Sequence, residues 1–169
     1  MGVARMTLAA SALFALSACE DAEAPAAPPE ATVAVAPVIV QDRFSVSRSA
    51  FDAPTTLERL FEALDRRELT VFAVIDHAAN AEAVGAELPF STVVVFGSPE
   101  AGTPLIRAVP LMGAALPLRA LVYEQGGEVF LAVTGVDNLS RDVPPGEQAA
   151  VIEAIRQNLR EISAEVAAG

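Results

Sequence analysis

From residue 44 onward the chain carries apolar side chains in two rhythms, period two and period 3.6, and these lay out its elements. Phe44-Ser45-Val46-Ser47 alternates apolar and polar, the pattern of a half-buried strand. Thr55-Thr56-Leu57-Glu58 is a capping-box sequence. It opens a helix with Leu57, Leu60, Phe61 and Leu64 on one face, and with Glu62 paired to Arg66 on the other. Val71-Phe72-Ala73-Val74-Ile75 reads as a buried strand. Asp76 caps a short alanine-rich helix over residues 77–84, stopped by Gly85. Thr92-Val93-Val94-Val95-Phe96 reads as a second buried strand. Thr103 followed by Pro104 signals the start of the next helix, and Pro110 limits it to about two turns. Residues 118–124 and 128–134 form a hairpin across Gln125-Gly126-Gly127. Val151, Ile155, Leu159 and Ile162 stripe a last helix, with Glu153, Arg156, Arg160 and Glu161 facing water. The pattern predicts the α+β class: a single compact domain over residues 38–166, about five mainly antiparallel strands packed with about four helices.

The hairpin carries large apolar residues on both of its faces. Leu118, Ala120 and Val122 alternate with Leu121 and Tyr123, and Val129, Leu131 and Val133 with Phe130 and Ala132. Internal helices cover one face, and the other needs a cover of its own, because large exposed apolar patches are unusual on monomers. A second copy related by a two-fold axis is the simplest cover, so a homodimer is expected.

The N-terminal pattern is an address. Arg5 precedes an apolar run over residues 7–16, which ends in Leu16-Ser17-Ala18-Cys19. Basic, apolar, small and then a cleavage site is the secretory order. The run is too short to cross a bilayer core, which needs ~20 apolar residues. Its ending resembles the lipobox of bacterial lipoproteins, in which the cysteine is lipidated and becomes the new N-terminus. Residues 1–18 are then a signal peptide. Residues 19–37 hold the lipidated Cys19 and a stalk rich in alanine, proline and acid, too poor in large apolar side chains to repay ordering. At ~3.1 Å per residue, roughly 17 stalk residues reach on the order of 50 Å. The protein is expected in the bacterial cell envelope, anchored by lipid to the inner or outer membrane and facing the periplasm.

Charge narrows the partners. After removal of residues 1–18 the chain keeps ten arginines against 22 acidic residues, a net charge of −12. Nucleic acid is excluded, because its binding relies on Lys/Arg contacts with phosphate. Cys19 is the only cysteine and His77 the only histidine, so no metal site and no cofactor are expected.

Four blocks stand in order along the folded part: Ile75-Asp76-His77-Ala78-Ala79-Asn80-Ala81, Val95-Phe96-Gly97-Ser98-Pro99, Gly102-Thr103-Pro104-Leu105 and Leu116-Pro117-Leu118. Their order and spacing over roughly residues 43–140 resemble the bacterial family called domain of unknown function 302. The family pattern usually reads Phe-Gly-Asn-Pro, and here Ser98 stands where the asparagine falls, keeping a hydroxyl but losing an amide donor. The resemblance implies a compact α+β domain, often a homodimer, and no established activity.

His77 is the only side chain whose ordinary titration falls near neutrality, and it matches the family's histidine. Asp76, His77, Ser98 and Thr103 are therefore the candidate binding residues. The loop 97–103 leaves a strand and enters a helix, a geometry that can offer backbone N–H groups to an anion, though it lacks a P-loop's lysine and spacing. Ser98 has no nucleophile-elbow context, and no catalytic residue is assigned. The leading expectation is a membrane-anchored envelope domain that binds a small molecule or an envelope protein without catalysis. The alternatives are an enzyme using His77 with a nearby carboxylate for proton transfer, and a structural assembly subunit.

Overall fold

The computed structural model describes residues 43–137 and 146–168. The signal peptide, Cys19 and the stalk lie outside the described residues. Five strands, β1 (Phe44–Arg48), β2 (Thr70–Asp76), β3 (Ser91–Gly97), β4 (Leu118–Gln125) and β5 (Glu128–Thr134), make one sheet in the order β1-β5-β4-β3-β2, every pair antiparallel. Among the described residues five helices accompany them: α1 (Ala53–Asp65), α2 (His77–Glu82), α3 (Pro99–Ala108), α4 (Met112–Ala115) and α5 (Glu147–Ala167). The class is α+β.

Strand alternation assigns the two sheet faces. Val94 and Phe96 of β3, Leu118, Ala120 and Val122 of β4, and Leu131 and Val133 of β5 point to one side. There they join Leu60 and Leu64 of α1 and Ile152, Leu159, Ile162 and Val166 of α5 in one core. The predicted hairpin and last helix both form. Arg59 of α1 ties the two helices, donating to the carbonyls of Glu165 and Val166 at the end of α5.

Helix starts differ from the expected ones. The cap of α1 is Asp52, whose carboxylate accepts from the Thr55 N–H at 2.8 Å, with Pro54 in the first turn. Thr56 instead sinks into the core, where its hydroxyl donates to the Asp52 carbonyl and pairs with that of Ser49 at 2.7 Å. The helix α3 is capped by Ser98, five residues before Thr103, and Pro104 lies inside it. In α1 the earlier start brings Ala53 into the core, and in α3 it lets the Ser98 hydroxyl accept from the Ala101 N–H.

The larger correction concerns β2. Residues 71–75 are not a buried strand; all seven residues of β2 are exposed. Phe72 keeps 52% and Val74 51% of their surface in water. The cause is topology: β2 is the last strand of the sheet and has a neighbour on one side only. A bulge between Val71 and Ala73 interrupts its pairing with β3, one of the devices by which edges resist further strand addition.

The opposite sheet face shows the second apolar surface anticipated for the hairpin. Lateral partners run straight across it, Ile75 to Val93 to Leu121 to Ala132 to Val46, one residue from each strand. Tyr123 and Phe130 stack beside that row with centroids 5.3 Å apart. Val93, Leu121, Tyr123 and Phe130 are half-buried, and Val46 and Ile75 are exposed.

Candidate functional site

A cavity of about 510 Å³ opens on the helical side of the sheet, at the end where β3 finishes and β4 begins. Phe96 and Gly97 form its sheet wall with Leu118, Leu116 and Pro117 close one edge, and Gly102 and Ile106 of α3 another. Ile155, Leu159 and Ile162 of α5 lie across it, while Leu69 and Phe72 flank the opening. The bulge in β2 turns Phe72 toward this side. Gly97 lies between Phe72 and Pro117: a Cβ there would make ordinary contact with them at 3.7 Å and 3.8 Å. The volume lies in the range usual for small-molecule sites, and so does the make-up, mostly apolar with a few polar groups.

Those polar groups are Arg67, Ser98, Thr103 and Asn158. The Ser98 hydroxyl accepts from the Ala101 N–H at 3.2 Å and pairs with the Glu100 carboxylate at 2.8 Å. Glu100 bonds its own backbone N–H and the Ser98 hydroxyl, and both hold its carboxyl below the usual carboxylate range. The start of α3, which the sequence offers as an anion site, is thus occupied by the chain's own hydroxyl and carboxylate. Capping needs only a hydroxyl here, which is why serine serves in the asparagine's place.

Arg67 is committed as well. It donates to the Ala63 carbonyl at 3.0 Å and pairs with Glu165 at 2.8 Å and with Glu161 at 3.9 Å. Arg66 also bonds Glu165, and it pairs with Glu62 at 3.5 Å. The two guanidiniums hold the Glu165 carboxyl below the usual carboxylate range, Arg66 contributing most. A carboxyl depressed in the folded chain adds stability that is complete above its unfolded pKa and lost as pH falls through the folded one. Melting temperature should therefore fall less between pH 6 and pH 3 in Glu165→Gln than in the parent chain. An equal fall in both would remove Glu165 as a source of acid sensitivity.

Two of the four candidate residues meet at this cavity and two do not. Ser98 and Thr103 line it. Asp76 and His77 stand at the other end of β2: Thr70 pairs with Gly97 but Asp76 with Thr92, a separation of roughly 17 Å at ~3.4 Å per residue. The Asp76 carboxylate caps α2, accepting from the Ala79 N–H at 3.0 Å, and His77 is exposed. Arg67, Asn158 and most of the apolar lining were not singled out from the sequence. One signal was available: three of the four family blocks, those holding Phe96-Gly97, Gly102-Thr103 and Leu116-Pro117-Leu118, converge on this cavity. Among the described residues no cluster of His, Cys, Asp and Glu could hold a metal ion, and no helix is long and apolar enough to cross a membrane.

Comparison with known proteins agrees on the fold. The crystal structure of an uncharacterized conserved protein DUF302 from Bacillus stearothermophilus matches with a TM-score of 0.65 at 15% identity, covering 73% of this chain and 97% of that one. Two curated relatives are 36% identical over 97 residues: a protein named fluoride-specific ion channel FluC 1 from Brucella suis, and one named FluC 2 from Brucella melitensis. The match takes in 57% of this chain but only 35% and 33% of those proteins, so the chain spans about a third of their length. The model of the family described as domain of unknown function DUF302 matches residues 44–166, the whole span from β1 to the end of α5, and the chain belongs to that family.

Proposed function

We propose that this chain is a non-catalytic binding domain, held at a bacterial membrane by a lipid on Cys19, that takes a small apolar molecule into the cavity between β3, β4, α3 and α5. The cavity lining carries the reading: apolar walls with a few polar groups at the opening, where the one hydroxyl–carboxylate pair, Ser98 with Glu100, is engaged in capping α3. The proton-transfer alternative needs His77 beside a cleft, and His77 lines none of the cavities described. Anion handling, the activity in the Brucella relatives' names, has no support in the lining, whose one guanidinium is already paired.

The membrane anchor in this reading rests on the N-terminal sequence alone, the apolar run ending in Leu16-Ser17-Ala18-Cys19. Cys19→Ser should abolish acyl labelling and shift the protein out of the membrane fraction. Unchanged fractionation would sink the anchor.

Gly102→Leu tests the cavity. A Cβ at Gly102 makes ordinary contact with Leu116 at 3.7 Å, and the rest of a leucine would project into the space. Replacing a helical glycine removes a destabilising residue, by ~1 kcal/mol on propensity alone. The variant should melt no lower than the parent, yet lose saturable binding of the neutral fluorescent probe N-phenyl-1-naphthylamine. Full binding by a folded Gly102→Leu would place the probe elsewhere.

A further inference from the structure

The polar rim says what kind of molecule the cavity admits. Arg67, the only cation in the lining, is shared between the Glu165 and Glu161 carboxylates and the Ala63 carbonyl. Arg66 beside it is paired with Glu165 and Glu62. Three carboxylates thus face two guanidiniums, leaving an excess of negative charge at this edge. On the other edge the α3 N-terminus is filled by Ser98 and the Glu100 carboxylate. An entering anion would find its two natural partners, a free guanidinium and a free helix start, already taken. It would also leave water next to standing negative charge. An uncharged head fares differently. The Thr103 hydroxyl and Asn158 amide line the opening and are exposed. Together they offer a donor-acceptor hydroxyl and an amide with both functions.

Resting on the binding reading above, we propose that the cavity takes uncharged amphiphiles, an apolar body ending in a hydroxyl or amide, and discriminates against the matching carboxylates. The apolar walls bind chain length and not head chemistry, so the discrimination resides in the rim.

The test holds the chain constant and changes the head. N-phenyl-1-naphthylamine bound to the purified full chain at pH 7.5 and low salt is displaced with decan-1-ol, decanamide or decanoate. The alcohol and the amide should act at roughly tenfold or more lower concentration than decanoate, the scale expected when a charge must be desolvated without a partner. Glu165→Gln takes the nearest carboxylate from Arg67, which keeps Glu161 and the Ala63 carbonyl, and should improve decanoate several-fold relative to decan-1-ol. Glu161→Gln, at the exposed carboxylate 3.9 Å from Arg67, should do the same to a smaller degree and serves if Glu165→Gln does not fold. Decanoate equal to or better than decan-1-ol in the parent chain would overturn the selectivity while leaving cavity binding intact. A gap unchanged in both variants would overturn the role given to the paired Arg67. If the probe and all three compounds fail to bind, the binding reading itself falls.

Discussion

Phe96→Ala should cost about 3–5 kcal/mol of stability, the usual range for emptying a large aromatic site in a core, and lower the melting temperature by roughly 10 °C or more. Phe96 is fully buried and lies where the sheet, Leu105 of α3 and the helices α1 and α5 meet. Its ring also walls the cavity, so truncation joins a new void to an existing one and the surroundings cannot close over it. The same change should weaken probe binding in the fraction that remains folded. Differential scanning calorimetry measures the first effect. A loss below ~1 kcal/mol would mean that this end of the core is already loosely packed.

The apolar row on the face opposite the helices is proposed to pair with that of a second copy, and Leu121→Arg should then leave single chains. Leu121 is the middle of the five-strand apolar row on the face opposite the helices, between Val93 and Ala132. That face is a suitable place for a strongly acidic chain to meet its copy. Its strand residues include Arg48 and Arg119, while Glu128 is paired to Arg48 at 2.8 Å, so little like-charge repulsion is concentrated there. Because a two-fold axis puts each substituted residue into the interface twice, one arginine per chain buries two charges. Sedimentation at micromolar concentration should give twice the chain mass for the parent and the single mass for Leu121→Arg. A parent that sediments as a single chain would contradict the proposed pairing. Leu121 lies outside the core that holds Phe96, so folding of Leu121→Arg should suffer much less than that of Phe96→Ala.

What the sequence discloses follows the range of the interactions involved. The hairpin β4–β5 and the helix α5 are visible because their patterns are local: period two on either side of Gly126-Gly127, and a 3.6-residue stripe ending in Ile162. The strand β2 is visible as a strand but not as an edge. Val71 to Ile75 would read the same in the middle of a sheet, and only the strand order leaves them exposed. Ser98-Pro99 and Thr103-Pro104 present the same cap-and-proline signal five residues apart, and the first is the one used, with Ser98 accepting from the Ala101 N–H. Asp76 and His77 attract notice for their chemistry, yet Asp76 caps α2 and His77 is exposed beside it, at the far end from the cavity. The cavity itself has no local signature. Its walls come from the turn after α1 and from β2, β3, α3, β4 and α5, between Arg67 and Ile162, and each apolar wall residue taken alone reads as ordinary core.

The most direct test of a ligand in this cavity is a methyl NMR titration of the chain with decan-1-ol. Binding there should shift Ile106, Leu116, Ile155 and Ile162 in a saturable, single-site manner and leave Ile75, Val93 and Leu121 on the opposite face unmoved. Shifts confined to that opposite face, or none at concentrations where decan-1-ol remains soluble, would contradict the assignment of this cavity as the binding site.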